Sequence, residues 1–227
     1  MHRVKKLTAI ALAAAAAFGG GCALWMLKHP PIRTYTPSSH ALPVEAPAKL
    51  SAFQTSVLAD LDRQCASSIV YQDGYFSGGE PPPKIGVCTD VVIRSYRAAG
   101  IDLQSEVAKD IRDNPKAYHI KKPDPNIDHR RCRNLTIFFQ RHALTLPASG
   151  PNADWEPGDI VFWDTAGDGR VDHVGVIANH LDADGNPTVT HHWPGQVVSE
   201  MDWLYRLPTL SHYRWRVNDA AETHHPV

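Results

Sequence analysis

Apolar positions fall into two regimes along the chain, and the change comes near Trp155. Before it, spacings are helical. Leu50, Phe53, Val57, Leu61 and Cys65 recur at three- and four-residue steps and predict a helix over 49–69. The segment "YQDGYFSGGEPPPKIG", 71–86, is broken by Gly and Pro and predicts a loop. In "CTDVVIRSYRAA", 88–99, Val91, Val92, Ser95 and Tyr96 form one stripe, and Gly100 supplies a C-terminal stop. "SEVAKDIRDN", 105–114, predicts a helix that Pro115 ends, and "PDPNIDHRRCR", 123–133, a loop. Asn134 is placed to cap a helix over "LTIFFQRHA", 135–143. After Trp155 the runs shorten and fill with β-branched and aromatic residues: "GDIVFW", "HVGVIAN", "TVTHHW" and "HYRWRV", split by Gly, Asp and Pro. The turn "DADGN", 182–186, makes the second and third of these a hairpin. Helices followed by strands predict an α+β domain with N-terminal helices packed on an antiparallel sheet.

Both ends of the chain read differently. Arg3, Lys5 and Lys6 precede an uncharged apolar run from Leu7 to Leu27, the order of a secretory signal. The run is long enough for the roughly 20 residues a bilayer span requires, and the basic end is expected to stay in the cytoplasm. Residues 1–27 are therefore expected to be a signal peptide or a membrane anchor, with three fates open: cleavage, retention, or lipid attachment at Cys22. "FGGGC" resembles a lipoprotein box but has Gly19 where that box usually carries Leu. Residues 28–48, rich in Pro, Ser and Ala, predict an extended linker. The folded domain is expected over 49–218 and a disordered tail over 219–227. Exported, periplasmic or secreted protein, or protein held at the inner membrane by residues 7–27, is the expectation.

Composition narrows the function. The chain has 227 residues, 43% hydrophobic and 21% charged, which suits one globular domain once the ends are removed. A net charge of −1 and the lack of a basic stripe give nucleic acid no electrostatic footprint. Export would favour disulfides. Cys22 lies in the targeting segment, which leaves Cys65, Cys88 and Cys132, an odd set, in the domain. The expectation is that Cys65 pairs with Cys132 and Cys88 stays free; the alternative is that both are unpaired core cysteines.

Cys88 falls in the first turn of a predicted helix, where free N–H groups and positive partial charge favour a thiolate nucleophile and an oxyanion. The bland reading is an inert buried thiol. His173 begins a strand just after a polar loop, a suitable place for a general base. Strand alternation puts His191 and His192 on opposite faces. His191 is favoured as the group that orients His173, with His192 as the runner-up; the bland reading of the pair is solvated strand polarity. No cofactor is expected. "DTAGDG", 164–169, resembles part of a calcium loop, but Gly175 stands where its closing Glu is required. A three-histidine zinc site at His173, His191 and His192 is a weaker alternative.

"WEPGDIVFWD", "DHVGVIAN" and "VTHHW" resemble the sheet half of NlpC-type cysteine hydrolases, which have a papain-like fold. Those proteins carry Cys at a helix N-terminus, His at a strand start within "HVG", and a polar residue on the next strand. Cys88, His173 and His191 match in order and context. "GVCTDVV" stands where those proteins carry "DCSGF", with Asp90 where a small residue is usual. Together with "PDPNIDHRR" and the final "HYR", the same motifs resemble the bacterial family named domain of unknown function 1287, distantly similar to that group. The resemblance implies a papain-like (NlpC-type) fold and an exported thiol-dependent amidase or peptidase with a Cys–His–His triad, acting on a peptide or on peptidoglycan stem peptides. The alternative is an inactive peptide-binding module of the same fold. Asp90 and the loop residues Asp128, His129, Arg130 and Arg131 are candidates for binding substrate, since Arg offers a fork for carboxylate. The competing reading of that loop is an ion-pair brace between the helices and the sheet.

Overall fold

A computed structural model describes residues 50–150 and 153–216. The expected targeting segment 1–27 with Cys22, the linker 28–48 and the tail 219–227 lie outside the described residues. Among the described residues, no helix is long and apolar enough to cross a membrane.

Helix α1 spans Ala52–Ala66, and its start is set by a capping box: Gln54 N–H donates to Ser51 Oγ at 3.1 Å, and Ser51 N–H donates to Gln54 Oε1 at 3.0 Å. A two-residue parallel pair follows, β1 (Val70–Tyr71) with β2 (Ile85–Gly86). Helix α2, Cys88–Ala98, stops where Gly100 takes a φ of 83° that disfavours side chains. Helix α3, Leu103–Asp113, begins earlier than the sequence pattern suggests, because Asp102 accepts from the Gln104 and Ser105 N–H groups. Pro115 opens a further short helix, α4 (Pro115–Tyr118), since proline at a first helical position gives up no internal hydrogen bond. A 3₁₀ turn at Asp128–Arg130 leads into α5, Cys132–His142. Asn134 lies inside α5 rather than capping it; its Nδ2 donates to Asp128 O at 2.9 Å and ties the helix to the preceding turn.

The strands are β3 (Leu144–Leu146), β4 (Ile160–Trp163), β5 (His173–Leu181), β6 (Pro187–His191), β7 (Ser199–Met201) and β8 (Thr209–Arg214). They form one sheet in the order β3-β8-β4-β5-β6-β7, with every neighbouring pair antiparallel. The expected hairpin is β5–β6, closed where Asp182 N–H donates to Asn186 O at 2.8 Å. The α+β class expected from the sequence is the one found.

The sheet is covered on both faces, and alternation along the strands decides what each covers. Ile160, Phe162, Val174 and Val176 join the core built by the helices, with Val57, Leu61, Val92, Tyr96 and Phe139. On the other face Trp163, His173 and His191 are buried against Trp193 and Trp203. Gly175 makes that face possible. A Cβ there would fall 2.6 Å from Val189 Cγ1 and 3.0 Å from the Trp163 indole, so the glycine of "HVG" is a packing requirement beside His173. "DTAGDG" is a self-contained turn: Asp164 accepts from the Gly167, Asp168 and Gly169 N–H groups, and its oxygens are engaged by backbone.

A candidate thiol site at two helix N-termini

Cys88 is the first residue of α2. What holds that turn in place comes from far along the chain. Asp90 reaches back to accept from Val87 N–H at 2.8 Å. Its two oxygens also take both arms of Arg130, Nε to Oδ1 at 2.8 Å and Nη2 to Oδ2 at 2.9 Å. The two side chains are 3% and 1% exposed. Arg130 Nη1 donates to Gly74 O at 2.7 Å, its guanidinium lies 5.0 Å from the Phe76 ring centre, and Thr89 Oγ1 donates to Arg130 O at 3.0 Å. Gly86 leaves the room: a Cβ there would sit 3.1 Å from Asp90 Oδ2.

This clamp fixes the register between α2 and α5. Cys88 lies two residues before Asp90, and Cys132 lies two residues after Arg130 as the first residue of α5. The two thiols meet across the clamp with their Sγ atoms 3.8 Å apart. The expected pairing of Cys65 with Cys132 is therefore not what the fold assembles. All three domain cysteines are free, and the sulfur facing Cys132 belongs to Cys88. Cys65 sits by Thr190 and Glu200; burial and the Glu200 charge push its thiol up to about 11.

The Cys88 thiol is held well below its ordinary range. The hydrogen bond from Cys132 is the largest cause, followed, against burial, by the His173 charge, a hydrogen bond with His173 and the Val174 N–H. Cys132 moves the opposite way, because it is the donor to Cys88 and is itself buried. We take Cys88 as the thiolate of the pair, since His173 acts on it while Asp172 opposes ionisation of Cys132.

His173 Nε2 lies 2.8 Å from His191 Nδ1. His191 Nε2 lies 3.2 Å from Met201 Sδ, an acceptor only, so His191 carries its proton on Nε2 and presents Nδ1 as an acceptor. His173 must then donate from Nε2, which leaves its Nδ1 for the thiol. His191 is opposite Gly175 in the β5–β6 register, so it is the diagonal neighbour of His173 on one face. His192 points the other way, with Nε2 3.1 Å from Gln196 O and its ring edge-on to Tyr71. The three histidines are not gathered around one point, and among the described residues no group of three His, Cys, Asp or Glu side chains could hold a metal ion.

Burial, then the neighbouring histidine charges, push His191 well below its usual value; burial lowers His192 from 6.5 to about 4. Both are neutral when folded and take up protons near pH 6.5 when unfolded. Their contribution to stability is therefore complete above about pH 6.5 and is lost as pH falls toward the folded values. For His192 the fall from 6.5 to about 4 corresponds to at most about 3 kcal/mol. Urea midpoints measured from pH 7 to 4 should decline, and His192→Gln should flatten that decline. A variant with an unchanged slope would show that His192 titrates as freely in the folded domain as in the unfolded chain.

A cleft of about 680 Å³ opens onto both thiols, walled by Tyr71, Tyr75, Arg131, Arg133 and Asp172 among others. Of the residues the sequence suggested for binding substrate, Arg131 is exposed on this wall. Arg130 lines it too, but its fork is already filled by Asp90. Asp128 is buried and accepts from Asp124 N–H at 2.7 Å. His129 is buried against Gly79, where a Cβ would come within 2.9 Å of the ring. Asp128, His129 and Arg130 are thus engaged within the helical half, where Arg130 braces α2 rather than the sheet, and Arg131 is the one loop candidate exposed on the cleft wall. Sequence reasoning missed Tyr71 and the position of Cys132. Tyr71 sits in a two-residue strand with no motif around it. Cys132 offers no signal in the sequence beyond that of a disulfide partner for Cys65.

Helices leading from a cysteine onto an antiparallel sheet that carries histidine at a strand start define a protein of the α+β class. The family model for a domain of unknown function, DUF1287, matches residues 58–215, and the chain belongs to that family. It is 36% identical over 193 residues to the uncharacterized protein YijF of Escherichia coli (strain K12), covering 79% of this chain and 93% of YijF. Among solved structures it is similar to NlpC2 from Trichomonas vaginalis, at 16% identity and a TM-score of 0.46, over 76% of this chain and 49% of that one. It is also similar to a lipoprotein-like protein of the NLP/P60 family from Staphylococcus aureus, at 16% identity and a TM-score of 0.39, over 78% of this chain and 46% of that one. The chain spans about half the length of each of these two structures.

Proposed function

We propose that the cleft is the active site of a thiol-dependent amidase or peptidase, with Cys88 as nucleophile, His173 as acid and base, and His191 as the group that fixes the His173 tautomer. The observation that carries this reading is the relay itself: a thiol lowered first by Cys132 and then by His173, whose Nε2 is held 2.8 Å from a neutral His191. The Cys88 thiolate attacks an amide carbonyl. The developing oxyanion is met by free N–H groups of the first α2 turn. His173 Nδ1–H protonates the departing amine, a thioester forms, and His173 then takes a proton from the water that releases the acid. The Trp163, Trp193 and Trp203 indoles keep the His173–His191 contact dry, which strengthens it. Tyr71, kept neutral by burial and by the Cys88 charge, places a hydroxyl on the cleft wall.

A peptide amide is the substrate class, and peptidoglycan stem peptide is the first to test, on the strength of the sequence resemblance. Incubation of the purified protein with cell-wall fragments, read by mass spectrometry, should show cleaved amide bonds. Binding without cleavage by a fully reduced protein would replace this reading with that of a peptide-binding module. An exported location follows from the same reading and from the charge order of residues 3–27.

Cys132 has a measurable part in the activation. Loss of its S–H by Cys132→Ala removes the largest cause of the low Cys88 value. The pH midpoint for alkylation of Cys88 by iodoacetamide should move upward, and at any pH below both midpoints the reaction should slow roughly 10-fold for each unit of that rise. Cys132→Ser restores a donor and should bring the midpoint back. An unmoved midpoint in the alanine variant would assign the lowering to His173 and the helix alone.

A further inference from the structure

The hydrolytic cycle uses one thiol, yet the fold presents two. Each is the first residue of a helix, each opens to the same cleft, and the clamp between Asp90 and Arg130 keeps their sulfurs 3.8 Å apart. A disulfide has an S–S length of about 2.05 Å, so closure requires the sulfurs to approach by roughly 1.8 Å. The third domain thiol is elsewhere, by Thr190 and Glu200. We infer that Cys88 and Cys132 form a redox site that accepts oxidising equivalents from small disulfides and closes to a Cys88–Cys132 bond, which switches the nucleophile off.

The chemistry balances with a glutathione-type disulfide as the oxidant. The Cys88 thiolate attacks one sulfur of the small disulfide. The S–S bond breaks, one glutathione thiolate leaves, and a mixed disulfide forms on Cys88. Cys132 then loses its proton, and its sulfur attacks Cys88 Sγ. The mixed disulfide breaks and the second glutathione leaves. Two protein thiols are oxidised to one disulfide, one small disulfide is reduced to two thiols, and the two protons end on those thiols. The order of events is set by the pair. Cys88 is the more ionised sulfur and is attacked first. Cys132 is held as a thiol chiefly by its hydrogen bond to Cys88, and that hold disappears once Cys88 is capped. The switching role rests on the hydrolase reading of Cys88; formation of the bond does not.

The test uses the full chain, purified and reduced, then exposed to oxidised glutathione at neutral pH and mapped by non-reducing peptide mass spectrometry. Wild-type protein should yield a Cys88–Cys132 cross-linked peptide with little glutathione retained. Cys132→Ser should stop at a stable glutathione adduct on Cys88. A wild-type protein that retains the adduct as Cys132→Ser does, that links Cys88 to Cys65, or that leaves Cys88 unmodified would overturn the inference. Hydrolysis is read separately. Bridged protein should lose peptide cleavage and regain it with dithiothreitol. Bridge formation in a protein that cleaves no peptide when reduced would remove the hydrolase reading and leave the dithiol standing; cleavage without a bridge would do the reverse.

Discussion

Cys88→Ala should lower peptide hydrolysis by at least about 10⁴-fold while leaving the urea midpoint close to that of the parent. Among the described residues that line the cleft, Cys88 is the thiol held low, and His173 behind it is held in one tautomer by His191. His173→Ala should act nearly as strongly, because it removes both the partner of the thiolate and the proton donor to the leaving amine. His191→Ala should cost on the order of 10²-fold, since the base remains but is free to turn and to protonate on the wrong nitrogen. His192→Ala should cost much less, because its ring lies on the far side of β6 against Tyr71 and Gln196. Steady-state rates on one cleaved peptide check all four. A Cys88→Ala protein with parental turnover would sink the assignment, and a larger loss at His192 than at His191 would relocate the orienting group.

The second large effect concerns stability. Asp90→Ala strands the Arg130 guanidinium, 1% exposed, in the protein interior. Loss of one partner from a buried pair typically costs about 3–5 kcal/mol. The urea midpoint should fall accordingly with little change in slope. The double variant Asp90→Leu with Arg130→Met should recover much of the loss, because both buried charges go together. The site should register the same change. Without the clamp, Cys132 is no longer held against Cys88, and alkylation of Cys88 at neutral pH should slow even in protein that is still folded. A single variant costing less than about 1 kcal/mol would mean that solvent reaches Arg130 more readily than its burial indicates.

Much of the architecture is legible in the linear pattern. Helices α1, α2, α3 and α5 follow from apolar stripes, and strands β4, β5, β6 and β8 from β-branched and aromatic runs. "DADGN" marks the β5–β6 hairpin because a tight turn needs residues that tolerate it. Helix boundaries are less legible: Asp102 precedes α3 because its carboxylate accepts from the Gln104 and Ser105 N–H groups, and Arg131 precedes α5 with no side-chain cap at all. Strands β3 and β7, each three residues long, are too short to show a period.

By itself the sequence determined the order of chemical groups: a thiol that opens a helix, a histidine that opens a strand, and two histidines on the next strand with opposite faces. Alternation is a local property of the backbone, so His191 and His192 had to point apart. The tertiary structure alone decided the partners. It inserted the last strand, β8, between β3 and β4. It closed the Arg130 fork on Asp90, 40 residues away, so that a loop resembling a carboxylate binder became a brace. It set Cys132 against Cys88, 44 residues away, rather than against Cys65. Composition and period are the same whichever residues meet. Only the packing of helices on a sheet, with a buried ion pair that tolerates one geometry, selects which distant side chains come within reach.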